Sequence, residues 1–211
     1  MENNFFIPVI GLAGLGDDVI KKDSGFLKVF LEKMREININ VKFYSTIMPS
    51  KDIISKELNI DKKHMRDPKR LKCTVEKEKL EKSSMYKKLP NNATLHGILV
   101  RRYERYSNHD ILKIIEKNRN FDGVLIFYDV RLDSEANIIS KCGGIVVHVD
   151  RVMNPRILYK TNSKISRVSS DLSFRCASER SFNKIYSEKL LPYITKGIQS
   201  LYIARELNLV S

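Results

Sequence analysis

Apolar positions along this chain alternate between short continuous runs and helical spacing, and each switch marks an element. The run Phe5 to Leu12 is apolar and ends in glycines, which predicts a buried first strand. Phe26, Val29, Phe30, Met34 and Ile37 then recur at helical spacing, with Asp23 or Ser24 placed to cap that helix. Val41 to Thr46 reads as a second strand. After Pro49, Ile53, Ile54 and Leu58 share one face of a helical stretch. Two further helices are predicted at about 93–105 and 108–119, the second carrying Ile111, Leu112, Ile114 and Ile115. The clearest unit comes next. DGVLIFYDV is a short apolar run of the kind central parallel strands have, RLDSEANIISKCGG reads as a helix closed by glycines, and IVVHVDR is another buried strand. Strand, helix and strand in so short a span make a βαβ unit, which implies a parallel sheet covered by helices on both faces. Strands at 5–12, 122–129 and 144–150 are expected at its centre. The tail aligns Leu190, Leu191, Ile194, Ile198 and Leu201 on one helical face. The pattern predicts one α/β domain over 1–211, without internal repeats or a low-complexity linker.

One segment breaks the rhythm. Residues 62–88 are dominated by Lys and Arg, carry few apolar residues and show no clean period, so they read as a solvent-facing insertion, a lid or a partner-binding element. Their charge joins an excess over the whole chain, which at 211 residues has a net charge of +13 and a pI of about 9.6. Such an excess favours polyanions, either nucleic acid without sequence preference or an acidic protein partner. Lys69, Arg70 and Lys72 are the candidate phosphate contacts. A solvated basic surface in a chain rich in Lys, Ile and Asn is the plainer alternative. No stretch approaches the ~20 apolar residues of a membrane span, and no membrane partner is expected. The opening MENNFFIPVIGLAGLG lacks a basic leader and reads as a core strand rather than a signal peptide. Three scattered cysteines and four scattered histidines show neither metal spacing nor a disulfide framework, which points to a reducing, cytoplasmic setting and no metal site. A homo-oligomer stays open.

Gly11, Gly14 and Gly16 stand between the first strand and the first helix, where backbone N–H groups can cradle phosphate. The spacing from Gly11 to Gly16 is that of a Walker A loop, but the next two residues are Asp17 and Asp18 in place of Lys and Ser or Thr. The missing Lys reaches the β- and γ-phosphates, and the missing hydroxyl holds magnesium. A carboxylate about 4 Å from a phosphate oxygen is repelled by about 4 kcal/mol at an effective dielectric near 20. Losing one preorganised donor costs ~10²–10³ in rate. A rescue is conceivable in which Asp18 ligates magnesium and Lys21 or Lys22 reaches back. The structural alternative is a glycine turn that lets strand and helix pack closely. A dinucleotide reading of the same glycines fails twice. The strand VKFYST ends without an acidic residue for a ribose, and no Tyr is followed four residues later by Lys.

Three segments together resemble a family. Besides the glycine loop, YSTIMPSKDIISKELNID is similar to a segment in which an aromatic, a small residue, Pro and Lys lead a helix. DVRLDSEANIISKCGGIVVHVDR is similar to a pattern of Asp-Val-Arg, a helix with Glu-Ala, a Gly-Gly turn and a strand ending in Arg. These resemble the phage-type deoxynucleoside monophosphate kinases, over about 1–60 and 95–182. The resemblance implies a P-loop kinase-like three-layer fold with a mostly parallel sheet. It also implies catalytic, substrate- or phosphate-side roles for Asp129, Arg131 and Arg151, and nucleotide-side roles for Lys51 with Gly11, Gly14, Gly16, Asp17 and Asp18. Ser178 and Glu179 match a Ser-Glu pair of the family, whereas its Asn-Asp-Gly turn is missing. The same residues have structural readings: Asp129 as a helix cap, Arg131 and Arg151 as paired surface arginines. With Asp17 and Asp18 in the loop, the expectation is an inactivated homologue without a cofactor, kept as a structural or nucleic-acid- or nucleotide-binding protein. A viral source would place it in host cytoplasm or a virion. The alternative is an active kinase using magnesium and ATP.

Overall fold

The structure, a computed structural model, describes residues 7–13, 25–83, 85–86, 88–90, 92–150, 171–175, 184 and 186–207. It divides into two compact units. The first comprises residues up to Ser45 and from Ile111 onward, and the second runs Thr46–Asp110. No helix among the described residues is long and apolar enough to cross a membrane.

The first unit is α/β. Strands β1 (Val9–Ala13), β2 (Asn40–Ser45), β3 (Gly123–Val130), β4 (Ile145–Asp150) and β5 (Leu172–Arg175) form one sheet in the order β2-β3-β1-β4-β5. Every pairing is parallel. The three strands expected at the centre are all interior. Buried on both faces, β1 and β3 read as unbroken apolar runs. Alternate side chains serve two cores. Ile10, Leu12, Val124, Ile126 and Val147 pack with Phe30 and Met34 of helix α1 (Gly25–Glu36). On that side lie also Tyr186 and Leu190, from a π-helical turn Tyr186–Leu190, and Ile194 of the C-terminal helix Leu191–Glu206. Val9, Ala13, Leu125, Phe127 and Val146 pack on the other face. Their partners there are Ala136 and Ile139 of the helix Asp133–Lys141, and Ile111 and Ile115 of the long helix Leu95–Lys117. Helices on both faces of a parallel sheet are consistent with a P-loop-like three-layer α/β fold.

In the second unit, α2 (Met48–Glu57), a 3₁₀ turn (His64–Arg66), α3 (Pro68–Leu71), α4 (Lys77–Lys82) and the first part of α5 (Leu95–Lys117) enclose their own core. It contains Ile54, Leu58, Met65, Val75, Leu80, Tyr86, Leu95, Ile98 and Leu99. The basic stretch 62–88 therefore lies inside a larger packed unit. Most of its described lysines are exposed, as expected, but Met65, Val75, Leu80 and Tyr86 turn inward.

Two expectations need correction. The helices predicted at 93–105 and 108–119 are one, α5. Ser107 and Asn108 lie inside it, since Ser and Asn have only weakly lower helix propensity than their neighbours and tertiary context overrides so small a preference. Ile37, assigned to the apolar face of α1, is exposed because the helix ends at Glu36 and Asn38 turns with φ 53°. The later helices are named α6 (Asp133–Lys141) and α7 (Leu191–Glu206) below.

Candidate functional site

Adjacent strands β1 and β3 send their following helices to opposite faces, α1 to one and α6 to the other. That reversal is a topological switch point, and in open parallel sheets ligands usually sit outside the carboxyl ends of the strands there. Asp129 stands at this spot. The register of β1 against β3 slips there, from Leu12↔Tyr128 to Ala13↔Val130, so Asp129 is a bulged residue. The extra residue keeps Val130 on the same face as Leu125 and Phe127. Asp129 adopts φ 66°, the left-handed region, which Asp tolerates better than most residues but still at a cost.

The Asp129 carboxylate is buried, 3% exposed. Its Oδ2 accepts a hydrogen bond from Ser45 Oγ at 3.2 Å, at the end of β2. Its Oδ1 lies 3.7 Å from Arg131 Nη2, on a guanidinium about one-third exposed. Arg131 is in turn fixed through its backbone. Arg131 N–H donates to Glu135 Oε2 at 2.8 Å, and Leu132 N–H donates to the same oxygen at 3.1 Å. Leu132 is the residue before α6 and has no side-chain acceptor, and the fully buried Glu135 at the third helical position supplies one at the helix entrance. The cap expected of Asp129 is thus supplied by Glu135, and Asp129 instead lies beside Arg131 at the carboxyl end of β3. Arg131 is a paired arginine at the carboxyl edge.

Gly11 is corrected. It sits inside β1, paired with Phe127 on one side and Val146 on the other, rather than in a phosphate loop. A Cβ there would lie 2.8 Å from Ile139 Cδ1 and 3.3 Å from Val130 Cγ2. Its function is close approach of α6 to the sheet, the structural reading of the glycine pattern. Gly14, Gly16, Asp17, Asp18 and Arg151 lie outside the described residues, as do Ser178 and Glu179. The part of the glycine loop that would hold magnesium and ATP, implied by the kinase resemblance, lies outside the described residues. The Asp129 carboxylate is engaged by Ser45 and Arg131 rather than presented to a cation, and Glu135 is spent on the helix entrance.

Lys51 belongs to the second unit, on α2, so the structure groups it with that unit rather than with Asp129 and Arg131. Lys69, Arg70 and Lys72 are grouped there too. Asp67 caps α3 by accepting from Lys69 N–H at 2.8 Å, with Pro68 at the first helical position. All three cations are exposed and none makes an ion pair among the described residues. Their neighbours differ: Lys62 pairs with Asp52 at 2.6 Å, Lys63 with Asp61 at 3.0 Å, Lys77 with Glu81 at 3.5 Å and Lys79 with Glu76 at 3.2 Å. Lys82 and Lys88 are likewise exposed without an ion pair among the described residues, and 69–72 places three such cations within four positions.

Sequence reasoning missed a buried polar group in the same unit. Arg102 is 6% exposed. Its Nη1 lies 3.4 Å from both Asp110 Oδ2 and Ser50 Oγ, and its guanidinium stacks 4.8 Å over the Tyr106 ring. Arg, Tyr and Asp at positions i, i+4 and i+8 of one helix were the available signal. Ser45 and Glu135 were missed as well. A Glu at the third position of a predicted helix pointed to the second of these. No family model, curated protein or solved structure matches this chain.

Proposed function

We propose that this chain is a catalytically inactivated relative of the P-loop deoxynucleoside monophosphate kinases that binds nucleic acid through its second unit. The observation that carries the binding half is the unpaired, exposed set Lys69, Arg70 and Lys72 beside lysines that are already neutralised. Counterion release from phosphates is sequence-independent, so no base readout is required of these side chains. The inactive half rests on Asp17 and Asp18 in the loop sequence. A phosphoryl group in transfer spreads negative charge over its oxygens, and two carboxylates at its loop oppose that charge.

Two measurements test the reading. A coupled assay with each deoxynucleoside monophosphate and Mg·ATP is expected to show no turnover above background. Turnover that disappears on changing Arg131 would overturn the inactive half. Fluorescence anisotropy with a labelled duplex is expected to show affinity falling ~10²–10³ between about 50 and 200 mM salt, for about four to six phosphate contacts. Replacing Lys69, Arg70 and Lys72 with Ala flattens that dependence while leaving the fold intact. Absence of binding at 50 mM salt removes the nucleic-acid half and leaves a protein scaffold.

One observation favours the competing reading of an active kinase. Arg131 is held by Asp129 and Glu135 at the carboxyl end of β3, where a guanidinium would neutralise a transferring phosphoryl group. The same coupled assay separates the two.

A further inference from the structure

We propose that Arg101, Arg105 and His109 on α5 form a second contact surface for the phosphate backbone of duplex nucleic acid. The inference rests on the nucleic-acid reading above and goes beyond it by naming a separate surface and the form of the polyanion. Steps of four residues advance about 6 Å along a helix and turn only about 40°, so the three stay on one side of α5. All three are exposed. Arg101 and Arg105 make no ion pair among the described residues, although the exposed Glu104 lies beside them in the chain. Glu104, three positions after Arg101, shares this side of the helix but is paired with neither arginine.

The surroundings support a docking surface. Over Thr46–Asp110 the chain has 16 Lys and Arg against 9 Asp and Glu, so the row sits in a cationic field. Arg102, the next residue after Arg101, turns inward to Asp110 and locks this part of the helix. The Tyr106 ring lies 4.8 Å from the Arg102 guanidinium and 5.3 Å from that of Arg105, so a rigid aromatic supports Arg105. Two guanidinium groups one helical turn apart, about 6 Å along the axis, match the regular spacing of charges along a phosphate backbone, with the His109 ring as a further hydrogen-bonding group. Tyr106 is half-buried between two guanidinium groups and is not offered as a stacking platform. That favours duplex over single-stranded nucleic acid, whose binding leans on aromatic stacking.

The experiment is a salt series of anisotropy titrations on the full chain with a labelled duplex and a labelled single strand of equal length. Four proteins are compared: wild type, Arg101→Ala with Arg105→Ala, the same pair changed to Lys, and Lys69→Ala with Arg70→Ala and Lys72→Ala. The α5 double Ala variant is expected to lower the slope of log affinity against log salt by about 2. The Lys pair is expected to restore it, because a phosphate needs only the charge. Unchanged thermal melts confirm folding. A double Ala variant with the wild-type slope overturns this inference while the α3 triple variant still flattens it, and the reading of α3 then stands. If only the α5 variant flattens it, the surface proposed here stands and the assignment to α3 falls. Tighter binding of the single strand, or displacement of the duplex by poly-glutamate at equal charge concentration, overturns the choice of partner. No wild-type binding at 50 mM salt removes both.

Discussion

The two units use ionisable side chains in opposite ways. In the first, charged and phenolic groups are tied to backbone at places where the sheet needs support. Glu135 holds the entrance of α6, Asp171 Oδ2 accepts from Val146 N–H at 2.7 Å, and the Tyr193 hydroxyl bridges Val9 and Gly143. In the second, most charge lies outside, part of it neutralised in exposed pairs of little energetic weight and part of it left unpaired. Among the described residues of that unit, the buried charges are Arg102 and its partner Asp110. A sheet covered on both faces has apolar area enough for stability and spends polar groups on geometry. The smaller unit buries hydroxyls such as Thr46, Ser50 and Ser55 but leaves most of its charged groups at the surface, where they are available to a partner.

The sharpest way to break this comparison is at the exception. Arg102→Ala strands Asp110 in a nearly closed environment and is expected to cost about 3–5 kcal/mol. The pair itself is imperfect: both contacts are long, and Arg102 Nε is buried without a hydrogen-bond partner. Changing both residues, Arg102→Met with Asp110→Leu, is therefore expected to be close to neutral. Denaturant titrations of the three proteins decide it. A double variant as unstable as the single one would show that the pair contributes net stability.

In the first unit the corresponding change is Glu135→Ala, which leaves the N–H groups of Arg131 and Leu132 without their acceptor. A loss of about 2–3 kcal/mol is expected, with Glu135→Gln recovering much of it because one amide oxygen still accepts. Hydrogen exchange at Arg131 and Leu132 localises the effect. Wild-type protection in Glu135→Ala would mean that another group closes the entrance.

How much of this was readable in advance differs along the same line. The β3–α6–β4 unit was legible because strands buried on both faces leave continuous apolar runs and Gly143, at φ 76°, ends the helix as glycine does. The second unit was not, because its inward residues Met65, Val75, Leu80 and Tyr86 come at irregular intervals from short helices, and no period exists to detect. Asp129 and Arg131 were found through a resemblance, but the bulge that positions them was invisible. A left-handed Asp is imposed by sheet register, which is tertiary. Arg102 escaped although Tyr106 and Asp110 follow it at four-residue steps, because that spacing aligns the three on one side of a helix without marking that side as buried.

A pH series sharpens the picture of the first unit. Burial, with help from Asp171, pushes the Tyr193 hydroxyl up from its ordinary value to about 12, against a smaller opposing effect of its bond to Val9. The folded state therefore holds the proton more tightly than the unfolded chain. The stabilisation is complete below pH ~10 and is lost as pH rises toward ~12, on the order of 2 kcal/mol in all. Tyr193→Phe is expected to cost about 1 kcal/mol at neutral pH and to flatten the alkaline decline. Some decline remains, since burial also raises Tyr186. An unchanged alkaline slope in the Phe variant would show that Tyr193 does not titrate with unfolding.

The smallest expected effect isolates the backbone at Asp129. Changing Asp129 to Ala or to Gly removes the same carboxylate, so both lose the bond from Ser45 and the contact with Arg131. They differ in how the bulge is accommodated. Ala carries a Cβ into φ 66°, where an L-residue is penalised by about 1 kcal/mol, and Gly does not. Gly offsets part of this advantage by giving the unfolded chain more freedom, a term of about 0.4–1 kcal/mol. The Gly variant should still be the more stable of the two, by several tenths of a kcal/mol up to about 1. Asp129→Asn should lie above both, because Asn tolerates the left-handed region and its amide oxygen still accepts from Ser45. Equilibrium unfolding of the three variants under one condition gives the order. If Ala matches Gly, the backbone at this position relaxes when the carboxylate is gone, and the left-handed turn is held by Asp129 itself. If Gly exceeds Ala, the sheet imposes the turn, and the side chain occupies a corner that the pairing of β1 with β3 has already made.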